Sequence, residues 1–596
     1  MRNRRKTDKI KIFINLHQNK LSILFILLFF FIITALLIWI NTSEGILGRS
    51  YRDVYFYLIQ GLRLSGYEIG GYEYVNYLSP LIPFLTSLLF RLGFINESSI
   101  FIVTGIFYPL GILGVYSLLK LRFNNIMSVF GSILYGCLSI NLLWAANGTI
   151  DIPSVSLTIW AIYLMVLAVD KNQKYFYLGF PVAIIAFFAK YTAGLAIPLM
   201  IFYLVSKPNI SQNIKKYYKN FFGGLIAGLF TAIPFFSYFY LNNIPLGFIN
   251  QVQEIATSTT GLPTKVEMNN NLFYYFTNLP RFIYNPNHIL SWLILAIVII
   301  GLTIGIYKAI ILLKNSYDNS NKFHKGKFKI FNKKISNKLY YILLFLSILI
   351  IGISFLTTGK ISFFYSEIIF FLSILSLSYL MNKIINIYSS VTLENFNHDL
   401  LMGVWFFSYM IFFSAHLTKV DRYFTTMAPA FAFFVTLALN FIINCLDSEK
   451  IKNYIKRTNF HMKKTNIFSK NVKITNVKNI IPLVIIAILI ISSLGYLTIN
   501  KHDSIVHDER ATVKWLSNYD NNYQSKVIWA ERGPIFTWYM KKEVIYVNWL
   551  IEPSTLSKNM LKNNTTYFIS VHENVEIPSY SKIKTIGEVS IYEKSY

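Results

Sequence analysis

Residues 79–93 read Ser-Pro-Leu-Ile-Pro-Phe-Leu-Thr-Ser-Leu-Leu-Phe-Arg-Leu-Gly. The run is apolar, but it is short and opens on Pro80 and Pro83. A helix needs about 20 apolar residues to cross the hydrocarbon. Whether this run crosses decides on which side every later loop lies. Stretches near or somewhat below the required length occur at 22–41, 99–119, 126–146, 152–169, 176–190, 193–206, 220–241, 288–313, 339–357, 362–382, 400–416, 424–444 and 479–498, thirteen in all. Loops rich in Lys and Arg stay in the cytoplasm. The first 20 residues carry seven (Arg2, Arg4, Arg5, Lys6, Lys9, Lys11, Lys20), which places the N-terminus inside. If 79–93 does not cross, the N-terminus and loops 120–125, 170–175, 207–219, 314–338, 383–399 and 445–478 hold 33 Lys/Arg and 7 acids on that side, a net of +26. The other side holds 22 Lys/Arg and 20 acids, a net of +2. A crossing would move the two richest loops, 314–338 and 445–478, to the wrong face. The reading is therefore a helix lying along or dipping into the outer leaflet.

The composition agrees. Of 596 residues, 54% are hydrophobic, 17% aromatic and only 14% charged, against roughly 25% charged in soluble domains. A soluble enzyme, a disordered chain and a secreted disulfide scaffold are excluded. Cys137 and Cys445, the two cysteines, make neither a disulfide framework nor a cysteine-based zinc site. The net charge of +28 reads as cytoplasmic loops near anionic lipid rather than as a nucleic-acid surface. The basic N-terminus imitates a signal peptide, but no small-residue cleavage site follows the apolar run, so 22–41 reads as a retained span. The expected organisation is a cytoplasmic segment 1–21, a membrane module 22–498 of about thirteen helices, and an extracytoplasmic α/β domain 499–596 in the cell membrane.

In the tail, strand-like runs recur at Lys526–Ala530, Val544–Trp549, Thr566–Val571 and Val589–Glu593, with helical stretches at Glu509–Ser517 and Ile535–Lys541. Asn563 and Asn564 each begin a glycosylation sequon.

Ionisable groups near membrane spans are costly, and their positions point to function. Asp53, Glu73, Asp151, Lys190, Glu367, His416, Lys419, Asp421 and Arg422 fall at the outer ends. A transporter is expected to place such groups near the midplane. Interfacial depth suits a lipid-borne substrate meeting a water-soluble one. In loop 42–98, Asp53-Val-Tyr-Phe-Tyr57 begins a helical spacing that Gly66 stops. Asp53 then sits where a carboxylate is favoured by the helix dipole, either as a cap without chemistry or as a reacting group.

Asp53-Val-Tyr-Phe-Tyr57…Gly66, followed by Ser79-Pro80-Leu81…Phe90-Arg91-Leu92-Gly93, resembles the first outer loop of GT-C type glycosyltransferases that use polyprenyl-phosphate sugars, among them the protein O-mannosyltransferases and the aminoarabinose transferases of lipid A. Asn147-Gly-Thr-Ile-Asp151-Ile-Pro153, Ala189-Lys190-Tyr191-Thr192-Ala-Gly194 and Asp421-Arg422-Tyr423-Phe…Pro429-Ala430 resemble three further segments of that family, in order and on the same face. There are departures. Val54 stands where the family often has a second carboxylate, and Glu73 lies seven residues before Pro80 rather than just before it.

The resemblance implies transfer of a monosaccharide from a polyprenyl (dolichyl) phosphate carrier to an acceptor hydroxyl outside the membrane, with inversion. The acceptor, a protein, a glycan or a lipid, needs a general base, and Asp53 is the choice. The departing phosphate needs cations, for which Arg422 offers a planar fork and Lys190 a point charge. Tyr57, Glu73, Asp151 and Tyr423 line the expected sugar and acceptor pocket. Arg422 could instead anchor headgroups or pair with Asp421, Lys190 could snorkel, and Asp151 could cap a helix. Glu367 could face the carrier or pair with Lys360. No cofactor is required; a divalent cation is compatible, though His416 and Glu73 alone do not make a site. The competing readings are a flippase or other transporter, a polymerase or ligase using diphosphate glycans, and a membrane-anchored receptor.

Overall fold

The computed structural model describes residues 2–43, 53–72, 78–207, 210–242, 244, 249, 271–285, 288–323, 337–358, 360–388, 393–416, 419–446, 477–499, 505–547, 551–572 and 576–595. The helices, in chain order, are α1 (Arg2–Ser43), α2 (Asp53–Leu64), α3 (Leu81–Arg91), α4 (Glu97–Lys120), α5 (Asn125–Cys137), α6 (Ser139–Trp144), α7 (Asp151–Asp170), α8 (Phe176–Ala189), α9 (Ala196–Val205), α10 (Ile210–Leu241), α11 (Tyr274–Thr277), α12 (Leu279–Ile283), α13 (His288–Phe323), α14 (Asn337–Leu356), α15 (Phe363–Tyr388), α16 (Leu393–Ala415), α17 (Ala428–Leu446) and α18 (Val477–Ile499). The C-terminal region adds α19 (Val506–Tyr519), β1 (Val527–Ala530), α20 (Gly533–Met540), β2 (Ile545–Tyr546), α21 (Pro553–Lys562), β3 (Thr565–Ser570), β4 (Tyr580–Ile586) and β5 (Val589–Lys594).

Among the described residues, nine helices are long and apolar enough to cross a membrane. Helices at three further expected spans, within 125–137, 173–189 and 191–205, are shorter than 18 residues, and at a fourth the described apolar stretch of α14, 342–356, is also shorter, although the helix itself has 20 residues. Length and composition therefore yield nine spans where the sequence reading counted thirteen. The physical reason is clearest at 126–146, where the expected span is broken. Leu138 is extended (ψ 130°) between α5 and α6, and Asn141 Nδ2 donates to the Tyr135 carbonyl at 2.6 Å. A break of this kind is tolerated in a membrane only where protein covers the backbone, and nearly all of 125–144 is buried. Helix α3 has 11 residues, a length of about 16 Å, roughly half the hydrocarbon thickness. It buries Leu81, Ile82, Thr86 and Phe90 and leaves Phe84 and Leu88 outward, the one-sided pattern of an interfacial helix.

The C-terminal sheet has the order β2-β1-β3-β5-β4. β1 pairs parallel with β2 and β3, and the remaining pairs are antiparallel. Leu516, Ile528, Phe536, Met540 and Ile569 form one buried layer; Leu556, Met560, Phe568 and Tyr592 form another. Val506, Ile535 and Trp538 belong instead to the core of the membrane module. The tail is thus seated on the module, not merely tethered to it.

Candidate functional site

Four segments converge on the end of the bundle that carries the tail. The first is α2, whose stop is fixed by Gly66 at φ +100°, a left-handed conformation suited to glycine. The second is the turn before α7. Its Gly148 has φ +84°, and a Cβ there would meet Val54 and Ile100. Glycine therefore lets the turn lie against α2, and Asp151 and Asp53 both act on Arg422. The third is the 3-10 turn Tyr191–Leu195 after α8, tied down by Tyr409 donating to the Thr192 carbonyl at 3.3 Å. The fourth is the 3-10 turn Asp421–Thr426 between α16 and α17. Trp405 Nε1 donates to the Thr426 carbonyl at 2.9 Å, and Phe424 stacks on Phe282 at 4.7 Å.

The side chains alternate in charge. Arg422 Nη2 meets Asp53 Oδ2 at 2.9 Å, and Lys190 Nζ meets Asp151 Oδ1 at 2.5 Å. Tyr423 lies between the cations, its ring 4.9 Å from Lys190 Nζ and 5.9 Å from Arg422 Cζ, and it stacks on Phe413 at 4.4 Å. Burial opposes the charge on Arg422, but Asp151 and Asp53 outweigh it and raise its pKa above the ordinary range. Burial, reinforced by Asp53, raises the Tyr57 phenol, which stays protonated. Arg422 Nε and Thr192 Oγ1 are buried and make no hydrogen bond among the described residues. A buried N–H or O–H without a partner is costly, so both are available to a ligand oxygen.

The structure brings Asp53, Arg422, Lys190, Asp151, Tyr57 and Tyr423 into one electrostatic neighbourhood. Glu73 lies outside the described residues. The alternative Asp421–Arg422 ion pair is not formed. Asp421 instead accepts from Tyr274 at 2.5 Å and pairs with Arg281 at 2.9 Å. Asp151 opens α7 and is paired with Lys190, which is turned inward to it rather than snorkelling. Glu367 accepts from Ser408 at 3.1 Å. His416 packs on Phe412. No group of three or more His, Cys, Asp or Glu among the described residues could hold a metal ion. Tyr274 and Arg281 are participants that the sequence reading missed. Their only signal was a lone Arg behind the aromatic run 273–276, without periodicity to place it.

The arrangement of the helical membrane module and its α/β tail is that of the GT-C fold. Residues 78–238 match the family model described as dolichyl-phosphate-mannose-protein mannosyltransferase. That stretch includes Asp151 and Lys190 but neither Asp53 nor Arg422. Among solved structures, the chain is similar to ArnT from Cupriavidus metallidurans bound to undecaprenyl phosphate, at 11% identity over 95% of this chain and 97% of that one, with a TM-score of 0.54. It is also similar to ArnT in the apo state, at 11% identity, coverage of 91% and 92%, and a TM-score of 0.50. The archaeal oligosaccharyltransferase AglB from Archaeoglobus fulgidus, in complex with an inhibitory peptide and a dolichol-phosphate, matches at 12% identity over 94% and 70%, with a TM-score of 0.48. At these identities the likeness is one of fold. Among curated proteins none matches the sequence.

Proposed function

We propose that the protein transfers a monosaccharide from a polyprenyl-phosphate carrier to an acceptor hydroxyl on the extracytoplasmic face of the membrane. The observation that carries this reading is the Asp53–Arg422 contact of 2.9 Å beside the Lys190–Asp151 pair. One carboxylate and one phosphate-binding cation stand next to each other at interfacial depth. The acceptor O–H gives its proton to Asp53 as its oxygen bonds to the anomeric carbon. The bond from that carbon to the phosphate oxygen breaks, and the phosphate leaves on the lipid. A single displacement of this kind inverts the anomeric centre. Arg422, with Nε unused, and Lys190 hold the departing charge. The fold's likeness to a protein solved with undecaprenyl phosphate supports the choice of carrier. A divalent cation is compatible with this scheme and is not needed by it.

The test uses purified protein, polyprenyl-phosphate sugars extracted from the source membranes as donor, and membranes of a deletion strain as acceptor, with products read by glycan mass spectrometry. Wild-type protein should restore the missing sugar. Asp53→Asn keeps the side-chain size and cannot take the proton, so turnover should fall ~10²–10⁴-fold with donor binding kept. Near-normal turnover of Asp53→Asn would remove Asp53 as the base.

A further inference from the structure

Helix α2 presents Asp53 and Tyr57 to Arg422 from one face. Successive helical residues are rotated by about 100°, so Tyr55 points from the opposite face, and there it meets the tail. Its hydroxyl lies 3.1 Å from that of Tyr539 in α20, and the rings meet edge to face at 6.0 Å. Arg510 of α19 donates through Nε to the Tyr539 hydroxyl at 3.0 Å and through Nη2 to Glu97 Oε1, at the start of α4, at 3.2 Å. Tyr539 and Glu97 outweigh the burial of Arg510 and raise its pKa, so the cation is permanent. Trp538 stacks on Phe90 of α3 at 5.6 Å, and Tyr72 donates to the Val544 carbonyl. Tyr55 and Trp538 are almost wholly buried. The tail thus grips the back of α2, one neighbouring helix and the start of another.

Asp53 itself is about one-third exposed, and its contact is with a cation that the donor phosphate would also use. The reach of its carboxylate is therefore set by how α2 is seated. We propose that the C-terminal domain is a positioning element for the reaction, with Tyr539 and Arg510 as positioning residues that hold Asp53 against Arg422 through Tyr55. This rests on the reading of Asp53 as the base.

The full-length protein tests it. Tyr539→Phe keeps the ring and loses the hydroxyl shared with Tyr55 and Arg510; Tyr539→Ala loses both. A displacement on the order of 1 Å can cost about 100-fold in rate. Turnover is expected to fall several-fold in Phe and about ten-fold or more in Ala, with the donor KM unchanged. Amide hydrogen exchange over 53–64 should quicken in both variants. Tyr519→Phe, which removes an exposed bond to Glu593 at 3.0 Å, should leave turnover and exchange as in wild type. Should Tyr539→Ala fail to fold, Tyr539→Phe carries the test alone. If Asp53→Asn is inactive while the Tyr539 variants keep wild-type turnover and α2 exchange, the tail does not position the base. If Asp53→Asn is active, the parent reading fails and this one falls with it.

Discussion

Arg422 engages Asp53 through Nη2 and keeps Nε buried and unused. An ammonium could replace the charge but not a planar set of donors. A hydrogen bond to a charged group contributes about 1.5–3 kcal/mol, so Arg422→Lys should lower kcat/KM by about ten- to a hundred-fold, mainly through the donor; unchanged kinetics would take Arg422 out of the site. Asp53, Asp151, Lys190 and Arg422 were legible in the sequence because charges at span ends are rare. Their partners were not, since Asp53 and Arg422 stand 369 positions apart and only folding pairs them.

At the scale of elements, the reading succeeded where one local rule dominates. Asp53 to Gly66 became α2 because a favoured start, helical spacing and a glycine stop agree. It missed β4, whose outward Lys582 and Lys584 hide the alternation expected of a strand, because an edge strand covers only one face. It also missed α21, whose apolar Leu556 and Met560 are few. The break at Leu138 was invisible in a run that is apolar on both sides. A close helix contact went unread as well. In Gly301-Leu-Thr-Ile-Gly305, a Cβ on Gly301 would strike the backbone of Ala438 in α17, and one on Gly305 would strike Phe441. Small residues four apart let helix backbones approach in this way. Gly301→Leu should therefore cost about 1–3 kcal/mol, read as a lower unfolding midpoint in detergent. Gly352→Leu in α14, where a Cβ meets nothing within 4 Å, should leave the midpoint near wild type. Equal effects would mean that α13 and α17 do not meet at Gly301.

Across the whole molecule, the two ends of the bundle differ in kind. At the tail end, charges are shared among α2, α7 and two turns, with donors left unused. At the other end the charges are closed among themselves: Arg122 with Asp399 at 2.9 Å, Lys207 with Asp170 at 2.7 Å, and Tyr203 donating to Asp170 at 2.6 Å. Satisfied pairs hold helix ends together, whereas unused donors invite a ligand. This separation gives the sidedness of the reaction its physical content. Arg122, Asp170, Lys207 and Asp399 of the closed end all fall in loops that the sequence count assigns to the +26 side, so the open end should face away from the cytoplasm. Reporter fusions should place 94–98 and the tail after 499 outside, and 314–338 and 445–478 inside. The segment 79–93 is the hinge of this prediction, since a crossing there would reverse every later loop. Its helix α3 is too short to span and lies with Phe90 on Trp538 of the tail, which keeps both on one side. A cytoplasmic tail would put Asp53 and Arg422 on the wrong face for an acceptor outside the cell, and would overturn the topology and the proposed reaction together.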